Sequence, residues 1–121
     1  MNKNILFEIA LFDPDNTLTL MLQQRDVEFR KVAITQKFVV ALDETIEVIS
    51  NDNNEPLIEK LVSIFIEWLK EKPYRKLQAQ LVDGSIVYID ECDIEGTARL
   101  LKSTMKVTAF DQEYNNRILN S

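Results

Sequence analysis

PLIEKLVSIFIEWLKEK, Pro56 to Lys72, is the stretch around which the rest of the chain has to be arranged. Leu57, Ile58, Leu61, Val62, Phe65, Trp68 and Leu69 recur three and four residues apart, which places them on one face of a helix, while Glu59, Lys60, Ser63, Glu67 and Lys70 fall on the other. Ile64 and Ile66 widen the apolar arc. Asn53 and Asn54 offer capping side chains just before the start, Pro56 is tolerated in a first turn, and Lys70 and Lys72 suit the negative end of the helix. Pro73 stops it. At about 1.5 Å per residue such a helix is about 25 Å long, enough to cover one face of a small sheet.

Outward from Pro73 comes a hairpin. KLQAQL (Lys76 to Leu81) and IVYID (Ile86 to Asp90) flank VDGS, whose Asp83-Gly84 pair predicts a two-residue turn with positive φ. That register sets Val82 opposite Ser85, Leu81 opposite Ile86 and Ala79 opposite Tyr88, so that Leu77, Ala79, Leu81, Ile86 and Tyr88 share the face that meets the helix. Asp90, Glu91, Cys92 and Asp93 lead into IEGTARLLKSTM, a second, shorter helix with Ile94, Ala98, Leu101 and Met105 on one side, Asp93 as its cap and Gly96 as its weak point. KVTAF (Lys106 to Phe110) reads as a last short strand, and DQEYNNRILNS as a frayed or docking tail.

On the other side of the helix, ILFEIALF (Ile5 to Phe12) is short and rich in strand formers, and Glu8 within it implies a wet face or edge. Asp13-Pro14-Asp15-Asn16 is a turn signal, and TLTLML (Thr17 to Leu22) alternates with period two, which predicts a hairpin. Val27 to Ile34 resumes a strand pattern after Gln23 to Asp26, completing a three-stranded meander. Thr35 to Ser50 reads as strand, one or two short ones broken near Asp43 and Glu44, with a helix as the alternative. Asn51 to Glu55 is a turn-rich linker. Together these predict an α+β fold in one domain, residues 1–121. Its sheet is mainly antiparallel, built from two runs of strands, with one long amphipathic helix and a shorter second helix packed on one face.

Composition narrows the chemistry. The chain has 121 residues, a formal charge of −6, no histidine and one cysteine, Cys92. Neither an internal disulfide nor a nitrogen–sulfur metal site can be built, and nucleophiles that depend on an imidazole base have none. Carboxylate, lysine and tyrosine chemistry remain. The acidic balance disfavours nucleic acid and anionic membrane surfaces and favours a basic protein partner. The start of the chain is too short and too interrupted for a signal peptide or a span, so a soluble cytoplasmic protein is expected. Cys92 is expected to be half-buried and structural, and Trp68 to lie in the core.

One stretch permits a second function. ALFDPDNTLT resembles the first motif of haloacid-dehalogenase-type phosphotransferases, a hydrophobic strand followed by Asp-x-Asp-x-Thr. IEVISN resembles the second motif, Lys72-Pro73 the third and IVYIDECD the acidic fourth. The resemblance implies Asp13 as nucleophile, Asp15 as acid and base, Thr17 beside them, Ser50 and Lys72 on the phosphate, and a magnesium ion held by Asp13, Asp15, Asp90 and Asp93. The alternative is that Asp13 to Asn16 is a hairpin turn and nothing more.

With only two glycines there is no phosphate-cradling loop, and no nucleophile–base pair is visible. The expected function is therefore that of a small acidic non-enzymatic protein that binds another protein, as an inhibitor, an immunity-type protein or an assembly subunit, and that needs no cofactor. A magnesium-dependent phosphatase is the alternative. Self-association, as a dimer, is also expected, because neither Ile5 to Phe12 nor Val27 to Ile34 carries a proline to block edge pairing.

Overall fold

The structure, a computed structural model, describes residues 4–12, 16–32, 44–51 and 53–111. Nine elements follow one another: β1 (Ile5–Phe12), α1 (Thr17–Gln24), β2 (Phe29–Lys31), β3 (Glu44–Ile49), α2 (Asn54–Glu71), β4 (Arg75–Leu81), β5 (Ile86–Tyr88), α3 (Ile94–Lys102) and β6 (Thr104–Asp111). The strands form a single mixed sheet in the order β2-β3-β1-β6-β4-β5. Its two central strands, β1 and β6, are parallel, and the other neighbours are antiparallel.

This order follows from the connections. Strand directions read across the sheet make β1 parallel to β2, β3 parallel to β4, and β5 parallel to β6, and each of these pairs is joined by a helix. None of them are neighbours: α1 passes over β3, α2 over β1 and β6, and α3 over β4. The longest helix makes the longest jump. Crossovers of the common right hand that run leftward from upward strands and rightward from downward ones all land on the same face. The helices accordingly form one layer, α1 packing on α2 and α2 on α3.

α2 buries the residues its spacing selects. Leu57, Ile58, Leu61, Val62, Phe65, Trp68 and Leu69 are buried, while Glu59, Lys60, Ser63, Glu67 and Lys70 are exposed. Ile64 and Ile66 are buried as well, because α2 is the middle helix and has a neighbour on each flank. Beneath it lie Phe7, Ile9 and Leu11 of β1, Ile46 and Val48 of β3, Leu77 and Ala79 of β4, and Val107 and Ala109 of β6. Phe7 meets Phe65 with ring centroids 6.3 Å apart. Arg25 pairs with Glu67 and Lys102 with Glu55 (3.0 Å), tying α1 and α3 to α2 at the surface.

The structure corrects the expected architecture at several points. Thr17 to Leu22 is helix α1, not the second strand of a hairpin, so the described residues hold three helices and no three-stranded meander. Over so few residues, period two and period 3.6 share Leu18 and Leu22, both buried; Leu20, which alternation would bury, is exposed. Asp26 ends α1 at φ 59°, with Val27 N donating to Leu22 O and Asp26 N to Gln23 O, a left-handed cap usually held by glycine. The sheet is mixed, because Thr104–Asp111 is a central strand parallel to β1 instead of a short terminal one. α3 ends before Met105, which is exposed in β6, and Ile94 is exposed too. Gly96 is required there: a Cβ would collide with the Asp93 side chain, whose Oδ1 accepts from Gly96 N at 2.8 Å to cap the helix.

In the region left open between strand and helix, Glu44–Ile49 is strand β3; Thr35 to Asp43 fall outside the described residues, as does the tail beyond Asp111. β1 is interior, paired with β3 on one side and β6 on the other, so it offers no edge for the expected dimer.

Truncation of Leu61, Phe65 or Trp68 to alanine should each cost about 2–5 kcal/mol in denaturant unfolding, since each is fully buried. Glu59→Ala and Lys60→Ala, on the exposed face, should stay within about 0.5 kcal/mol of the parent. Overlapping ranges for the two sets would contradict this packing.

Candidate functional site

Two features of the sheet combine charge, exposure and shape: a buried polar cluster at the end where β1 and β6 finish, and the hairpin of β4 and β5 at one side.

The cluster is centred on Arg75. Its residue begins β4 and points to the helix face, where its side chain is 1% exposed. Nη1 donates to Trp68 O and to Glu71 Oε2, both at 3.0 Å, Nη2 donates to Thr17 Oγ1 at 3.2 Å, and the guanidinium lies 4.6 Å from the Trp68 ring centroid. Trp68 Nε1 donates to the same Thr17 hydroxyl at 2.9 Å. Asp111 Oδ2, itself buried, is 3.9 Å from Nε, which makes no hydrogen bond to a described residue. Two carboxylates, one indole and one hydroxyl thus neutralise and orient one cation, linking the start of α1, the end of α2 and two strands. This is a structural arrangement of high stakes, because a buried guanidinium without its partners is costly.

The hairpin has the predicted partners but another register. Pairing runs Gln80↔Ile86, Ala79↔Val87 and Gln78↔Tyr88. Gly84 N donates to Leu81 O at 2.9 Å, Leu81 N donates to Ser85 O, and only Gly84 has positive φ (91°), so the loop is the three residues Val82 to Gly84 with the glycine last. One additional loop residue moves Ile86 and Tyr88 to the face away from the helices, where Lys76 Nζ lies 5.6 Å from the Tyr88 ring centroid. Four large apolar side chains of the hairpin are exposed: Ile86 and Tyr88, each at 58%, on this face, Val87 at 40% on the helix face, and Val82 at 73% in the loop. The period-two pattern marks these residues as apolar, and the expected two-residue turn places Ile86 and Tyr88 on the helix face, which conceals the exposure of those two.

Around them the charge is acidic. Asp83 Oδ1 accepts from the backbone N and hydroxyl of Ser85, and these bonds, the hydroxyl first, hold its carboxyl below the ordinary carboxylate range. Asp90 Oδ1 accepts from Cys92 N at 2.8 Å, and Asp93 caps α3. Asp90, Asp93 and Glu95 are exposed and Glu91 is half-buried. Cys92, expected to be half-buried, is exposed with a free thiol. Leu69, Pro73, Leu77, Tyr88 and Ile89 wall a hollow of about 410 Å³ whose lining carries both signs of charge, Arg75 and Lys76 with Asp90 and Glu91.

The residues of the phosphotransferase resemblance are dispersed. Asp13 and Asp15 fall outside the described residues; Asn16 follows in the left-handed region and Thr17 belongs to the Arg75 cluster. Ser50 lies at the opposite end of β1, its hydroxyl donating to Asn4 O at 3.1 Å, about 25 Å from the Phe12 end at about 3.3 Å per residue. Lys72 closes α2 with its ammonium 5.8 Å from the Tyr74 ring centroid. Asp90 and Asp93 follow β5, which β4 and β6 separate from β1. Among the described residues no group of three or more acidic or cysteine side chains is placed to hold a metal ion, and no helix is long and apolar enough to cross a membrane. The chain matches no protein-family profile, no curated protein and no solved structure.

Arg75→Ala should destabilise the fold by about 3–5 kcal/mol, because it removes a buried cation together with its hydrogen bonds to Trp68 O, Glu71 and Thr17, and Arg75→Lys should recover only part of that, since an ammonium cannot reach the three together. Chemical denaturation of the two variants measures the difference. At the hairpin the sign of the pH effect follows from the lowered Asp83 carboxyl: its contribution is present above the unfolded-state pKa and lost as pH falls through the folded one. Asp83→Ala should therefore flatten the acid limb of the stability profile of the parent, with little change near neutrality in slope.

Proposed function

We propose that this is a non-enzymatic cytoplasmic protein that acts by binding another protein, and that the β4–β5 hairpin is the surface it uses. The observation that carries this reading is the exposure of Ile86 and Tyr88 side by side on one face of a small hairpin, with Val82 exposed in its loop and Val87 on its other face, while most other large apolar side chains among the described residues are buried. Isolated exposed apolar residues are ordinary, whereas a contiguous set rimmed by polar groups is characteristic of interaction sites. Tyrosine beside long aliphatic side chains is also the composition of interface anchors. The exposed Cys92 thiol is in keeping with a reducing compartment.

The phosphatase reading has weaker support. It asks Ser50 and the Asp90–Asp93 pair to converge on the end of β1, and the sheet order holds them apart. A dimer through β1 has none, and the short β2, with Arg30 and Lys31 exposed, is a poor edge for self-pairing.

Capture experiments with the immobilised chain test the proposal. A partner identified from the source extract should be retained by the parent and lost by the triple variant Val82→Ser, Ile86→Ser, Tyr88→Ser, while both show the same unfolding midpoint, because these side chains are exposed. Retention by the triple variant would move the interface elsewhere. Magnesium-dependent turnover of a generic phosphate ester, abolished by Asp13→Asn, would replace the binding function with the enzymatic one.

A further inference from the structure

β5 is the outermost of the described strands on its side of the sheet, and its hydrogen bonds define which of its backbone groups are already used. Leu81 N donates to Ser85 O and Ile89 N to Leu77 O, both at 2.9 Å. In the alternation of an antiparallel ladder the hydrogen-bonded pairs are then Leu81–Ser85, Ala79–Val87 and Leu77–Ile89. Val87 directs both main-chain groups to β4. Ile86 and Tyr88 turn theirs outward, where they bond to no described residue. Carboxylates stand at both ends of this edge: Asp83 precedes it, and Asp90, Glu91, Asp93 and Glu95 follow. Of the cations close by, Arg75 is taken up by Glu71 and Asp111, and Lys76 lies over the Tyr88 ring.

From this combination we infer that β5 accepts an extended, basic segment of another protein as a seventh strand. The inference deepens the protein-binding function above and rests on it. Outward N–H and C=O groups select an extended chain, because only a strand satisfies them in sequence. Side chains of Ile86 and Tyr88 on one face and Val87 on the other offer apolar contacts to alternate residues of the incoming strand. The flanking carboxylates select Lys or Arg at its ends. The hollow beside Tyr88 is lined by Arg75 and Lys76 as well as by Asp90 and Glu91, so an incoming cation is held at its acidic rim and not in its depth. A second copy of this chain is a poor occupant. Two β5 edges related by a two-fold axis run antiparallel and bring Asp83 of each toward Asp90 and Glu91 of the other, like charge against like.

The probe is a synthetic peptide, Lys-Arg-Val-Thr-Val-Thr-Val-Lys-Arg, titrated against the full chain alongside a control with glutamate in place of every cation. Ile86→Pro removes an outward N–H while leaving Val87 free to pair with β4, a position where an edge strand tolerates proline. Asp90→Asn with Glu91→Gln removes charge and leaves the backbone untouched. The parent should bind the basic peptide and not the acidic one. Ile86→Pro should weaken binding by about tenfold, equivalent to losing a backbone hydrogen bond together with close approach at that edge. Added salt should weaken binding to the parent and have less effect on the charge-neutralised variant.

Equal peptide binding by the parent and Ile86→Pro, or no binding by the parent, overturns the inference. Should Ile86→Pro shift the unfolding midpoint, the charge-neutralised variant carries the test, and undiminished, equally salt-sensitive binding by it overturns the inference as well. A doubled solution mass that Ile86→Pro abolishes, with no peptide binding, assigns the edge to a second copy and overturns the basic segment. Partner capture that survives Ile86→Pro overturns β5 as the site but leaves the protein-binding function standing; a parent that captures nothing removes that function itself.

Discussion

A single buried guanidinium holds the end of the sheet where β1 and β6 finish. Arg75 reaches α1 through Thr17, α2 through Trp68 and Glu71, and β6 through Asp111, so four elements far apart in sequence share one cation. Burying a charge is costly, and here the cost is offset by the hydrogen bonds of Nη1 and Nη2 and by the nearby Asp111 carboxylate. The cluster therefore rewards one arrangement of the helices over the sheet and penalises near alternatives in which a carboxylate is left behind. Apolar packing under α2 supplies the bulk of the stability but is tolerant of small shifts. The polar cluster is not, and it specifies how α1 and α2 sit relative to β4 and β6.

The second constraint is topological. Each helix joins parallel strands that are not neighbours, and the gaps are filled by strands from other parts of the chain. All the helices are thereby used on one face, and the other face carries no described helix. Phe12 and Phe110 stack there at 5.4 Å, from directly paired positions on the two central strands. The side of the sheet that the hairpin extends, bearing Ile86 and Tyr88, belongs to the same face. Among the described residues, the connections therefore place no helix over this face at β5.

How much of this was legible varies with how far each signal reaches. α2 could be read except at its ends, because its apolar arc is long; Asn54 and Glu55, which read as linker, are its first residues, and Lys72, which reads as its last, is already extended. α1 could not: Thr17 to Leu22 is too short to separate the two periods, and what makes it helical is the need to cross from β1 to β2 over a strand that comes later in the chain. The central place of β6 was invisible for the same reason, since parallel pairing with β1 leaves no mark in KVTAF itself. At the candidate site the hairpin, its glycine and the acidic run were all readable. What failed was one residue of loop length, and in a strand one residue exchanges the faces. The Arg75 cluster was missed altogether, because its members are scattered from Thr17 to Asp111 and no local pattern connects them.

The position of β6 between β1 and β4 also governs the order in which the sheet can be completed. Until β6 is in place, β2, β3 and β1 form one group of strands and β4 with β5 another, with only α2 bridging them. β1 then has a free edge on its β6 side, and Phe7, Ile9 and Leu11 have an incomplete floor. Contacts between residues so far apart in the chain form slowly, and unpaired apolar strands are exposed to aggregation while they wait. On a ribosome this wait lasts until residues 104–111 have emerged. The chain is thus most vulnerable just before residues 104–111 emerge, when the apolar strands that precede them exist and the strand that joins the two groups does not.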